Sequence, residues 1–144
     1  MAKGLYKPTN LSKYLGDPTK IRFLSSWEMK FMDFCDKNPN ILQWGSEEFS
    51  IPYIHPIKRD ADGSPKRCKY YPDFIVKYKN ATGIIITEVI EIKPHNQTVL
   101  KKKTSTYDKV QLVINNAKWE SAVAFCKSHN IVFRILTEKE LFLK

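Results

Sequence analysis

From Ser25 the apolar positions fall into a helical rhythm. Trp27, Phe31, Phe34 and Cys35 recur at i, i+4, i+7 and i+8, one face of a helix, and Asn38-Pro39-Asn40 stops it. Residues 41–54, ILQWGSEEFSIPYI, change to an extended pattern in which Pro52 either makes the strand an edge or ends its pairing. The cluster Asp60-Ala61-Asp62-Gly63-Ser64-Pro65 predicts a hairpin turn, with a second strand over about 69–78 and a further turn at 80–83. The third strand, 84–93, carries IIITEVI and predicts burial on both faces, a central position, before Pro94 terminates it. A polar, basic passage, HNQTVLKKKTSTYDK, follows. Val113, Ala117, Ala124 and Phe125, interleaved with Trp119 and Val123, then predict a helix to about Ser128, closed by Asn130. Residues 131–136 predict another buried strand, and Thr137-x-x-Glu140 has the capping-box spacing of a short terminal helix.

The order is helix, three hairpin-linked strands, helix, strand: an α/β chain. The helix between the third and last strands is a crossover, which predicts that those two run parallel. At 144 residues the chain suits one domain, placed at 21–144, with residues 1–20 as a basic N-terminal arm or a segment draped over it. The arm's Lys3, Lys7, Lys13 and Lys20 either reach a phosphate backbone or belong to a loose tail.

Charge narrows the function. Twenty-four Lys and Arg against 15 Asp and Glu leave +9, a surplus that favours a polyanionic partner, nucleic acid first, over a merely solvated surface. No apolar run approaches the roughly 20 residues of a membrane span. The opening residues lack a signal peptide's apolar core, so a cytosolic protein is expected. Cys35, Cys68 and Cys126, like His55, His95 and His129, are too scattered to predict a disulfide framework or a zinc site.

The third strand ends on charge. Alternation points Glu91 and Lys93 together, away from Ile90 and Ile92. A hairpin centred near residue 82 sets Asp73 opposite Glu91, so two acids and a lysine converge at one point of the sheet. Magnesium takes hard oxygen ligands, one or two carboxylates with waters and phosphate oxygens. An adjacent ammonium orients water or offsets phosphoryl charge. The bland alternative is an exposed structural ion pair worth under about 1 kcal/mol.

Pro72-Asp73 followed by Glu91-Ile92-Lys93 resembles the signature of the PD-(D/E)XK nuclease superfamily. The α-β-β-β-α-β order resembles its restriction-endonuclease-like core, a mixed central sheet flanked by helices. Three blocks, RFLSSWE at 22–28, YYPDF at 70–74 and EIK at 91–93, with NPNILQW at 38–44, are similar to the head completion nucleases of T-even-type phages. They are also similar to the strand-cleaving subunit of heteromeric transposases. The resemblance implies that Asp73 and Glu91, with the main-chain carbonyl of Ile92, hold Mg2+ (or Mn2+), and that Lys93 assists the attacking water or the phosphate. It implies DNA as partner, with phage head, portal or neck proteins, in the host cytoplasm or on the virion and away from membranes. The activity implied is metal-dependent DNA hydrolysis that trims packaged ends before the tail joins. A non-cleaving head-closure protein and a transposase-type or junction-resolving endonuclease are the alternatives. Glu28 matches the helix glutamate that many members bring to the metal, yet Ser25-x-x-Glu28 is also a capping box; Glu47, Glu48 and Glu88 are rival carboxylates. Lys118 on the second helix and the run Lys101-Lys102-Lys103 are candidates for the DNA backbone, as is Arg22, which alternatively pairs with Glu28. Trp119 is expected in the core.

Overall fold

The computed structural model describes residues 3–99 and 105–141. In chain order the elements are β1 (Gly4–Leu5), β2 (Arg22–Phe23), α1 (Ser26–Lys37), β3 (Ile41–Ser46), β4 (Ile51–Arg59), β5 (Pro65–Tyr70), β6 (Phe74–Lys79), β7 (Ile85–Ile92), α2 (Thr106–Ser128), β8 (Val132–Leu136) and α3 (Glu138–Leu141). A four-stranded sheet runs β3-β6-β7-β8. Its first two pairings are antiparallel and β7-β8 is parallel, as the crossover through α2 requires. This is the α/β, restriction-endonuclease-like arrangement, a mixed sheet between helical layers.

Alternation along β7 builds a core on each side of the sheet. Ile90 and Ile92 join Phe74, Val76 and Trp44 beneath Phe31, Met32 and Cys35 of α1. Val89 faces the other way, where Trp119, Ala122 and Cys126 of α2 pack with Ile51, Tyr53 and Tyr70. Trp119 is a core residue, as expected.

Four expectations are corrected. Residues 41–54 are not one strand. The chain breaks at Glu47, whose backbone turns left-handed (φ 55°) while its N–H donates to the Asp73 carbonyl at 3.0 Å. The second strand likewise divides at Tyr71-Pro72-Asp73, because a proline has no N–H for a central ladder. The hairpin at 60–65 therefore joins β4 and β5 in a separate ribbon, and β6 alone enters the sheet. On α1, Phe34 is 53% exposed and Asp36 is buried. The N-terminal segment lies over that side of the helix, its Thr9 and Asn10 N–H groups each donating to the Asp36 carboxylate at 2.9 Å. Lys13 belongs to the same clasp: its Nζ donates to the carbonyls of Asp36 and Asn38. On α2, Val113 and Val123 of the expected apolar face are exposed, and the buried arc runs through Trp119, Ala122 and Cys126 instead. The terminal capping box is present, Thr137 Oγ1 donating to Glu140 Oε2 at 3.0 Å.

Candidate active site

The hairpin turn sets the site. Asn80 Oδ1 accepts the N–H groups of Thr82 and Ile84, and Gly83 takes a positive φ of 84°. The register that follows pairs Phe74 with Ile90, so Asp73 stands one step beyond, opposite Glu91. Pro72 is fully buried and anchors the approach. Asp73 N–H donates to Glu91 Oε1 at 3.3 Å, and Ile92 N–H donates to Asp73 Oδ2 at 2.8 Å. Because N–H and C=O of one strand residue point to the same side, the Ile92 carbonyl is directed toward Asp73 as well. Lys93 Nζ lies 3.7 Å from Glu91 Oε2. The convergence expected of Asp73, Glu91 and Lys93 is therefore the geometry observed.

Glu91 is 6% exposed, and the site is strained electrostatically. Burial, followed by the Glu91 charge, holds the Asp73 carboxyl well above the usual carboxylate range, against the Ile92 N–H and Lys93, which pull it down. Burial also raises Glu91, opposed by the Tyr70 hydroxyl, Lys93, the Asp73 N–H and Lys118. Two carboxyls this close and this dry retain a proton until a cation offsets their repulsion.

Tyr70 and Tyr53 were not anticipated as site residues. Tyr70 hydroxyl donates to Glu91 Oε1 at 2.8 Å, fixing that carboxylate from the ribbon side. Lys118 Nζ stands over both rings, 5.9 Å from the centroid of Tyr53 and 5.8 Å from that of Tyr70, within cation–π range. The signal for Tyr70 was its place three residues before Asp73; the ring contacts join separate elements and left no local mark. Lys93 and Lys118 border a cleft of about 620 Å³ whose walls include Asn96, Gln97, Gln111 and Asn115.

Glu28 caps α1. Its N–H donates to Ser25 Oγ at 3.2 Å, and its Oε1 accepts from Leu24 N–H at 3.1 Å, one residue earlier than the usual box. It is also an electrostatic neighbour of the site: its charge raises Asp73, while burial, then Glu47, raises Glu28 itself against Leu24 N–H and Lys93. The rival Glu88 is engaged elsewhere, with Arg134 Nε at 3.0 Å and the Tyr78 hydroxyl, on the α1 side of the sheet. Glu48 accepts from Tyr14 hydroxyl at 3.2 Å. Arg22 is exposed on β2 and, among the described residues, makes no ion pair with Glu28. Lys101, Lys102 and Lys103 lie outside the described residues.

The donor set fits a hard cation. Among the described residues, no group of three or more His, Cys, Asp or Glu side chains forms a cage. The side-chain donors at this point are two carboxylates, and among the described residues Asp73 Oδ1 and Glu91 Oε2 accept no hydrogen bond. Two hard oxygens plus a carbonyl leave room for water and phosphate oxygens, as magnesium favours.

Fold and site together define an endonuclease domain: residues 38–138 match the family described as TnsA-like endonuclease N terminal, and the chain belongs to it. Among individual proteins, it is similar to the head completion nuclease of Enterobacteria phage T4, 35% identical over 144 residues, spanning 96% of this chain and 92% of that protein. The family match takes in Asp73, Glu91, Lys93 and Lys118, whereas Arg22 and Glu28 fall outside it.

Proposed function

We propose that this protein is a magnesium-dependent deoxyribonuclease of phage head completion, hydrolysing phosphodiester bonds to trim packaged DNA ends before head and tail join. The observation that carries it is the meeting of Asp73, Glu91 and Lys93 at one end of two antiparallel strands, the end away from their connecting turn. Asp73, Glu91 and the Ile92 carbonyl would hold the ion, with manganese as a substitute. When bound, the ion supplies Lewis-acid polarisation of the phosphate and a lowered pKa for water.

The chain's own groups do the rest. Tyr70 hydroxyl and Asp73 N–H hold Glu91 in one orientation, leaving Oε2 toward Lys93. Lys93, on the Glu91 face, is placed to orient the attacking water and to offset phosphoryl charge as it grows. Lys118, steadied over two aromatic rings, adds a second positive charge toward the backbone entering the cleft. Arg22 and, from their place in the sequence just after the motif, Lys101 to Lys103 are candidates for further backbone contacts, and the working compartment is the host cytoplasm or the assembling particle. The phage relative's name supports the head-completion role.

Purified protein with magnesium is expected to nick or degrade plasmid DNA, and chelation to stop it. Asp73→Ala or Lys93→Ala is expected to abolish cleavage with the circular dichroism spectrum unchanged. Cleavage undiminished in both variants would refute the assignment. A wild-type protein that binds DNA and completes heads without cutting would make it a structural closure protein instead.

A further inference from the structure

Beyond its base, the β4-β5 ribbon leaves the body of the protein. Ile51, Tyr53 and Tyr70 are packed beneath α2, but residues 56–67 are exposed throughout. A two-stranded hairpin without a packed face is marginal by itself, and this one is braced locally. His55 Nδ1 accepts the N–H groups of Ile57 and Lys58 at 3.1 and 2.9 Å, closing a bulge where the pairing slips between Ile54 and Arg59. At the tip, Asp62 Oδ1 accepts Ser64 N–H and Oγ at 3.0 and 2.6 Å.

The braced ribbon carries Lys58, Arg59, Lys66, Arg67 and Lys69 against Asp60 and Asp62. None of these five cations is in an ion pair among the described residues, while Asp62 is turned into the tip. Ile54 and Ile57 stand among the charges, 56% and 52% exposed. The other end of β5 is Tyr70, whose hydroxyl touches Glu91.

We propose that the β4-β5 ribbon is a duplex-DNA arm that lies in a groove beside the scissile bond and holds the flanking phosphates. The major groove, about 12 Å wide, admits a two-stranded ribbon, and exposed aliphatic groups suit thymine methyls on its floor. Five cations against two acids suit a polyphosphate and oppose a basic protein surface. At the usual strand rise, the six residues of β5 extend about 17 Å from Glu91's neighbour Tyr70. That is about half a helical turn of duplex, so the arm acts within some five base pairs of the cut. The placement beside the cut rests on the nuclease reading above; the DNA contact does not.

The test uses the full chain carrying Asp73→Asn, in chelator, so that binding of a fluorescent 30-base-pair duplex is read without cutting. Lys66→Ala with Arg67→Ala, and separately Lys58→Ala with Arg59→Ala, are compared with Lys127→Ala plus Lys139→Ala, which removes the same charge from exposed helical positions. Each ribbon pair is expected to weaken binding at least tenfold near 0.1 M salt. Its salt slope should fall by about 2, since each phosphate contact contributes about 0.9. The helical pair should weaken binding less than threefold. Ribbon variants that bind like the helical control would overturn the proposal. So would intact DNA binding with lost head completion, which would assign the ribbon to a protein partner. Failure of wild-type cleavage would refute the nuclease assignment and leave the binding result standing.

Discussion

The Ile92 N–H donates to Asp73 Oδ2 at 2.8 Å, so the strand bearing Glu91 and Lys93 also fixes the acid of its neighbour. This bond separates two substitutions. Asp73→Asn keeps an acceptor for the N–H and removes the charge, whereas Asp73→Ala strands the donor, at about 1–3 kcal/mol for a buried group. Both are expected to lack cleavage. In thermal unfolding without metal, the Asn variant should melt at or above wild type and the Ala variant below the Asn one. The reverse order would mean that the Ile92 bond does not hold the site.

Burial, then Glu91, pushes Asp73 up to about 8. Its unfolded value is near 3.9. Between those values the native protein keeps a proton that the unfolded chain has released. The folded-state pKa is the higher one, so the stability it contributes is full below about pH 4 and is lost as pH rises toward 8, by at most about 1.4 kcal/mol per pH unit. Denaturation in chelator between pH 5 and 8.5 should show this decline, and Asp73→Asn should flatten it. Magnesium should stabilise most at the alkaline end, where no proton competes. A wild-type curve as flat as the variant's would contradict the buried dyad.

Tyr70→Phe isolates the hydroxyl that donates to Glu91 and leaves the ring beneath Lys118. A hydrogen bond to a charged acceptor is worth about 1.5–3 kcal/mol, so its loss should raise the Glu91 pKa further. Cleavage near neutral pH is expected to fall about tenfold and to recover as pH is raised. Loss independent of pH would make Tyr70 a packing residue only.

Much of this was legible in the sequence because local periods and turn chemistry agree. The isoleucines of β7 alternate with charge, and the turn at Asn80 and Gly83 sets a register that needs no tertiary knowledge; Asp73, Glu91 and Lys93 follow from it. The errors lie where distant segments decide. The break between β3 and β4 is fixed by a partner far along the chain, for Glu47 adopts its left-handed turn while its N–H reaches Asp73. Pro72 carried the hint that β5 and β6 are separate. Asp36 looks like a surface acid until the N-terminal segment supplies its donors. Lys118 over Tyr53 and Tyr70 joins three elements and has no signature in any one of them.

Glu28 offers the sharpest division between holding the fold and serving the chemistry. Its Oε1 accepts from Leu24 N–H while Ser25 Oγ accepts its own, which is a complete helix start. Its charge also acts on Asp73 and is felt by Lys93's side of the site. Glu28→Gln retains an acceptor for Leu24 and deletes only the charge, so melting should stay within a degree or two of wild type. Glu28→Ala removes the acceptor too and should cost about 1 kcal/mol, typical of a lost cap. If the charge helps assemble the cation site, the Gln variant should cleave about tenfold more slowly, with the loss partly recovered at higher magnesium. Cleavage at the wild-type rate in the Gln variant, beside a destabilised Ala variant, would reduce Glu28 to its cap and leave the chemistry to Asp73, Glu91 and Lys93.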